Sequence, residues 1–163
     1  MEFLDHAQIL STSDEEAIKS QAQSMHLPDS VHEVLYATYP NSGEEFSRTL
    51  FHDLEREHPQ FISGSGLQKN VLVIAVGFEP NSMAVHCGTE VCQDIKIYDE
   101  GRVDGILDQM RSALADDDYT IGMILATRAA ADTTVRRQYT QDVPTWSVFI
   151  AATMVLVLSL IHI

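Results

Sequence analysis

The stretch Asn70–Gly88, NVLVIAVGFEPNSMAVHCG, limits the fold more than any other part of the chain. Val71–Val76 is apolar at every position, and four of its six residues are β-branched. Stiff χ1 angles suit such residues to a pleated strand. A strand that is apolar throughout is covered on both faces, so this one predicts the centre of a sheet. Gly-Phe-Glu-Pro-Asn-Ser follows. Pro80 presets φ and Asn81 tolerates positive φ, which predicts a turn. Met83–Cys87 then returns as an antiparallel strand, and Gly88 ends it.

The segments before this stretch supply its neighbours. Ser11–Glu16, STSDEE, starts a helix with a capping box from Thr12 and Glu15 or from Ser13 and Glu16. That helix runs to about Met25, with Ala17, Ile18, Ala22 and Met25 on one face. Pro28 and Asp29 break it. Val31–Tyr39 reads as a strand. Ser42 with Glu45 caps a second helix, Glu44–His58, with Phe46, Leu50, Phe51 and Leu54 inward. Phe61–Gly66 reads as a flexible loop. Strand, helix, strand in that order predicts a right-handed parallel crossover. Beyond Gly88, Ile95–Tyr98 reads either as a short edge strand or as an approach to a helix. Gly101–Ala115 is the third helix, with Val103, Ile106, Leu107, Met110 and Leu114 inward. Asp116–Asp118 breaks it, and Tyr119–Arg137 is the fourth, with Ile121, Ile124, Leu125 and Ala129 buried. The expected class is α/β, a small mixed β-sheet flanked by helices over residues 1–137.

Acidic residues outnumber basic ones 24 to 10, for a net charge of −14, and every Lys and Arg precedes Pro144. Such a surface repels phosphate backbones, so no nucleic acid is expected as a partner. Past the linker 138–145 the character changes. Trp146–Ile163 has no charged residue when His162 is neutral, and its length suits a span of about 17–25 residues. Trp146 stands where an interfacial aromatic belongs. A C-terminal transmembrane helix with lipid around it is therefore expected. The closing Leu158–Ile163, LSLIHI, matches one translated frame of a transposon-type sequencing adapter, which would cut the native span near Val157. Met1–Leu10 has no signal-peptide pattern. Arg128, Arg136 and Arg137 precede the span, and by the positive-inside rule that flank belongs in the cytoplasm.

Three segments, FLDHAQILS, the central NVLVIAVGFEPNSMAVHCG and DDDYTIGM, together resemble the TPM domain family. The matching positions are Asp5, Gly88, Asp118, Tyr119 and Gly122, and Asp117 stands where the family often has Gly. His58-Pro59 with Ile62-Ser63 is similar to a His-Pro-x-x-Ile-Ser segment of actinobacterial membrane-anchored members. The likeness covers roughly residues 3–135. It implies a TPM-like α/β sandwich on the outer side of a membrane, tethered by one helix. It also implies an accessory or binding role for envelope proteins or, as the alternative, weak acid-phosphatase activity linked to calcium or another divalent cation.

The residues themselves name no reaction. No Gly-x-Ser-x-Gly elbow and no Gly-x-x-x-x-Gly-Lys loop is present. The topology places Asp5, Asn41 and Glu79 on one rim of the sheet, with Asp116–Asp118 near it if the third helix climbs the sheet. Asp5, Glu79, Asp117 and Asp118 are thus the candidate metal ligands, since a hard cation needs several converging oxygens. The competing reading has Asp118 capping the fourth helix and the others solvated. Cys87 and Cys92 form a local disulfide in an oxidising compartment, or stand as two reduced, partly buried thiols. All seven histidines read as structural or surface groups, His86 half exposed on the return strand.

Overall fold

The computed structural model describes residues 1–40, 45–78 and 82–137. Among these the main sheet has four strands in the order β1-β2-β5-β6. They are β1 (Glu2–Asp5), β2 (Glu33–Tyr39), β5 (Val71–Gly77) and β6 (Ser82–Cys87). β1 and β2 are parallel, as are β2 and β5, whereas β6 runs antiparallel to β5. The remaining elements are α1 (Thr12–Ser24), α2 (Phe46–Glu57), the two-residue strands β3 (Ile62–Ser63) and β4 (Gly66–Leu67), α3 (Thr89–Asp94), α4 (Arg102–Ala115) and α5 (Tyr119–Ala131).

Every residue of β5 is buried, so the expectation for Val71–Val76 holds. Its side chains alternate between two cores. Leu72, Ile74 and Val76 join Tyr36, Ile18, Ile106, Met110 and Met123 on the face covered by α1, α4 and α5. Val71, Val73 and Ala75 join Leu35, Leu50, Leu54 and Phe61 on the face covered by α2. Each fully buried Val, Leu or Ile contributes about 1.5–3 kcal/mol, so this double-faced strand anchors the domain. Tyr36 crosses the first core and donates its hydroxyl to Thr127 Oγ1 at 2.8 Å, which itself donates to the Met123 carbonyl. Burial pushes the Tyr36 hydroxyl up to about 12.

Several local expectations change. No element is expected before Ser11, but Glu2–Asp5 is a four-residue parallel edge strand, too short for its alternation to register. The cap of α1 is Ser11, not Thr12 or Ser13, and its box partner is Asp14. The strand expected from Val31 begins at Glu33. The segment expected as a flexible loop is a hairpin, β3 against β4, turning at Gly64 with φ +62. Ile95–Tyr98 is not an edge strand but lies on the approach to helix α4. It is a turn after the short helix α3, with Ile95 and Ile97 buried. Val103 and Ile121, expected inward, are exposed, because both lie on the outer flanks of the α4–α5 pair. α5 stops at Ala131 rather than Arg137, and Gly122, Met123, Ala126, Thr127 and Ala130 are buried along it. Among the described residues no helix is long and apolar enough to cross a membrane. The expected span Trp146–Ile163, the Ser42 cap, Asn41 and Glu79 lie outside the described residues.

One buried cation ties the helices together. Arg102 is fully buried at the start of α4. Its Nε donates to the Ile95 carbonyl at 2.8 Å, and its two terminal nitrogens donate to Val135 at 3.0 Å and Ala130 at 2.9 Å. Ala130 belongs to the last turn of α5, where carbonyls run out of helical donors, so the guanidinium serves as part of its C-terminal cap. Burial, and then nearby Arg136, pulls the Arg102 pKa down from its ordinary value.

Gly88 marks the tightest approach. A Cβ there would lie 1.8 Å from the Gln68 carbonyl oxygen and 2.6 Å from the carbonyl carbons of Gln68 and Lys69. A Cβ on Gly122 would meet the Leu114 side chain at 3.3 Å and the Met110 carbonyl oxygen at an ordinary 3.8 Å. Gly88→Ala should therefore cost about 3 kcal/mol or more in urea unfolding, because backbone must move. Gly122→Ala should change stability by less than about 1 kcal/mol, since helix propensity offsets the contact.

Candidate functional site

The parallel strands β1, β2 and β5 end on one rim, and the expected acids that are described lie there. Asp5 ends β1 and pairs in register with Thr38 of β2. Its Oδ1 accepts from Ile9 N at 3.2 Å and from the Thr38 hydroxyl, and its Oδ2 accepts from Leu10 N at 3.0 Å. Thr38 Oγ1 in turn accepts from Ala7 N at 3.2 Å. Together these bonds close the loop that turns the chain from β1 into α1.

Asp116–Asp118 forms the corner between α4 and α5. Asp117 has φ +57 and donates its N–H to Leu114, while Asp118 N–H donates to Ala113 at 2.9 Å. These two bonds make a Schellman motif, in which a left-handed residue closes a helix C-terminus and Gly is favoured. Asp is among the few other residue types enriched there. Asp118 then caps α5 by accepting from Ile121 N at 2.9 Å. The cap foreseen as the competing reading is thus what Asp118 forms. Tyr119 donates to Asp117 Oδ1 at 3.1 Å and packs edge-on against Phe78 at 4.4 Å. Burial, then Asp117, raises the Tyr119 pKa. Asp14 accepts from the Ser11 N–H and hydroxyl, which hold its carboxyl below the ordinary range, helped by Thr120 at the start of α5.

Asp5, Asp117 and Asp118 thus share a rim, yet each already accepts from protein donors: Asp5 from Ile9, Leu10 and Thr38, Asp117 from Tyr119 and Asp118 from Ile121. Among the described residues no group of three or more His, Cys, Asp or Glu is placed to hold a metal ion. Glu79 lies outside them.

The opposite end carries the cysteines. Cys87 ends β6 and is joined by a disulfide to Cys92 of α3, with 5.3 Å between Cα atoms. Gly88 N donates to Val71 O at 2.8 Å, and Glu90 N and Val91 N donate to Lys69 O, so α3 is stitched to the entry of β5. At this end also lies an open polar cleft of about 370 Å³, lined by Glu2, Glu33, Gln60, Phe61, Gln68, Asn70 and Val71. No pattern in the sequence marks it, because its lining is drawn from β1, the start of β2, the 60–61 turn and the chain entering β5, segments far apart along the chain. Its carboxylate and amide groups suit a polar ligand more than an apolar one.

On the α2 face, the Tyr39 hydroxyl is enclosed and has no hydrogen-bond partner among the described residues. Burial, then the neighbouring Asp53 carboxylate, raises its pKa. His86 of β6 sits between Ser47, 3.1 Å from its Nε2, and the edge of the Phe51 ring.

No family model matches the chain, and no curated protein matches it by sequence. Its fold is shared with solved bacterial domains. The N-terminal domain of a P. gingivalis protein has a TM-score of 0.55 at 15% identity, over 84% of this chain and 87% of that one. The BA42 protein of the psychrophile Bizionia argentinensis has 0.53 at 14%, over 83% and 90%. The N-terminal domain of the cg2496 protein of Corynebacterium glutamicum has 0.50 at 14%, over 86% and 82%. At such identities the likeness concerns the fold alone.

Burial lowers the His86 pKa. The unfolded chain then binds more protons than the folded one between the folded value and the ordinary imidazole value. Stability from this group is present above that window and is lost as pH falls through it. The His86 ring protons in NMR should titrate below the ordinary imidazole value, and His86→Gln should flatten that part of the stability–pH curve.

Proposed function

We propose that this chain is a membrane-anchored, extracytoplasmic TPM-like domain acting as a binding or accessory module for envelope proteins. The observation that carries the reading is the use of the TPM-matched residues. Asp5 closes the β1–α1 loop, Asp118 caps α5, and Gly88 admits the Gln68 backbone. Asp117 takes the left-handed position where the family often has Gly. Positions that build corners need no reaction to account for them. The composition of Trp146–Ile163 supports the anchor. The Cys87–Cys92 disulfide supports the outer side, because such bonds persist in oxidising compartments.

The alternative is a weak divalent-metal-dependent acid phosphatase using Asp5, Glu79, Asp117 and Asp118. Purified protein should hydrolyse a generic phosphomonoester no faster than an Asp5→Ala/Asp118→Ala control, and calcium should leave its melting temperature unchanged. Hydrolysis that the double substitution abolishes, together with a calcium-dependent melting shift, would establish the enzyme instead. Alkylation of cells before lysis tests the compartment. The module reading requires Cys87 and Cys92 to resist alkylation until reductant is added, and two freely alkylated thiols would place the domain in the cytoplasm.

A further inference from the structure

We propose that the turn Ile95–Asp99, with the first turn of α4, seats against the lipid surface, and that Tyr98 is its interfacial anchor. This rests on the membrane-anchored reading above and adds an orientation to it. Tyr98 is 77% exposed, although Ile95 and Ile97 beside it are buried. The turn that presents it is held from within. Ile97 N donates to Cys92 O at 3.0 Å, Asp99 N to Lys96 O at 3.1 Å, and Arg102 Nε to Ile95 O. A large aromatic is therefore displayed to solvent on backbone that is already ordered. Val103, one residue beyond Arg102, is also exposed.

The occupant follows from where the chain goes next. Arg136 bonds Asp99 Oδ2 at 2.8 Å, and Arg137 N donates to Gly101 O at 2.9 Å. Gly105 lets this exit pass: a Cβ there would lie 2.9 Å from the Arg136 backbone. The chain thus leaves the domain directly beside the Tyr98 turn. Only residues 138–145 separate Arg137 from Trp146. Eight residues reach at most roughly 28 Å when fully extended. An apolar stretch that enters a bilayer so soon holds this end of the domain near the headgroups. A tyrosine has an apolar ring for the acyl boundary and a hydroxyl for the headgroups. Arg136 and Arg137 are ion-paired to Asp99 and Asp108, and Glu100 and Asp104 lie close by in sequence, so zwitterionic lipid is the fitting surface. The rim with Asp5, Asp117 and Asp118 then faces away from the bilayer.

The chain has a single tryptophan, which allows a clean test. The full chain is reconstituted in phosphatidylcholine vesicles brominated at a shallow acyl position. Quenching of Trp146 in the unsubstituted chain reports the anchor. In a Trp146→Phe background, Tyr98→Trp moves the reporter to the proposed contact, and His52→Trp places it on exposed α2. The proposal expects quenching and a blue shift for the reporter at position 98 and neither at position 52. A quenched Trp146 with an unquenched reporter at position 98 overturns the orientation and leaves the anchor standing. An unquenched Trp146 overturns the anchor, and the orientation with it.

Discussion

A strand with no exposed residue is the constraint on which the rest of the fold depends. β5 can be dry on both faces only if helices cover both. The period-2 alternation then sorts the whole chain into two cores. α2 suffices for one face, because Phe61 and the β3–β4 hairpin complete it. The other face takes α1, α4 and α5. α5 lies on β5 while packing against both α1 and α4, which explains why its buried residues wrap most of its circumference.

The helical layer has its own tie in Arg102. A buried guanidinium is costly unless its donors are used, and here three backbone carbonyls receive them. These carbonyls come from the end of α5, the turn after α3 and the departing chain at Val135. One side chain therefore fixes how α5 ends, how the Tyr98 turn is held and where the chain leaves. Exit, turn and disulfide share one end of the domain, and the acidic corners occupy the other.

The central strand, its antiparallel return, the parallel crossover and four of the helices were legible because each rests on a periodic apolar pattern. What escaped lacks such a pattern. β1 is four residues long, and its register comes from β2 rather than from its own side chains. Arg102 looks like any solvated charge at a helix start, since its carbonyl partners lie up to 33 residues away. The acids left two readings open for a different reason. Asp116–Asp118 advertises a cation site by composition, yet dihedral angle and amide geometry, which composition does not carry, make it a Schellman motif joined to an N-cap. That Asp117 stands where the TPM family, which the chain resembles, often has Gly is the one sequence signal for its positive φ. The polar cleft at the opposite end had no signal at all, because its walls meet only after folding.

The rim carboxylates belong to the scaffold, with their oxygens held by the amides of Ile9, Leu10 and Ile121. Following these three amides by NMR while calcium is added tests this most directly. Slow hydrogen exchange without metal, and resonances that stay in place as calcium rises, are the predicted result. Saturable movement of all three together, with loss of their protection, would mean that the carboxylates leave the backbone for a cation and would contradict the account.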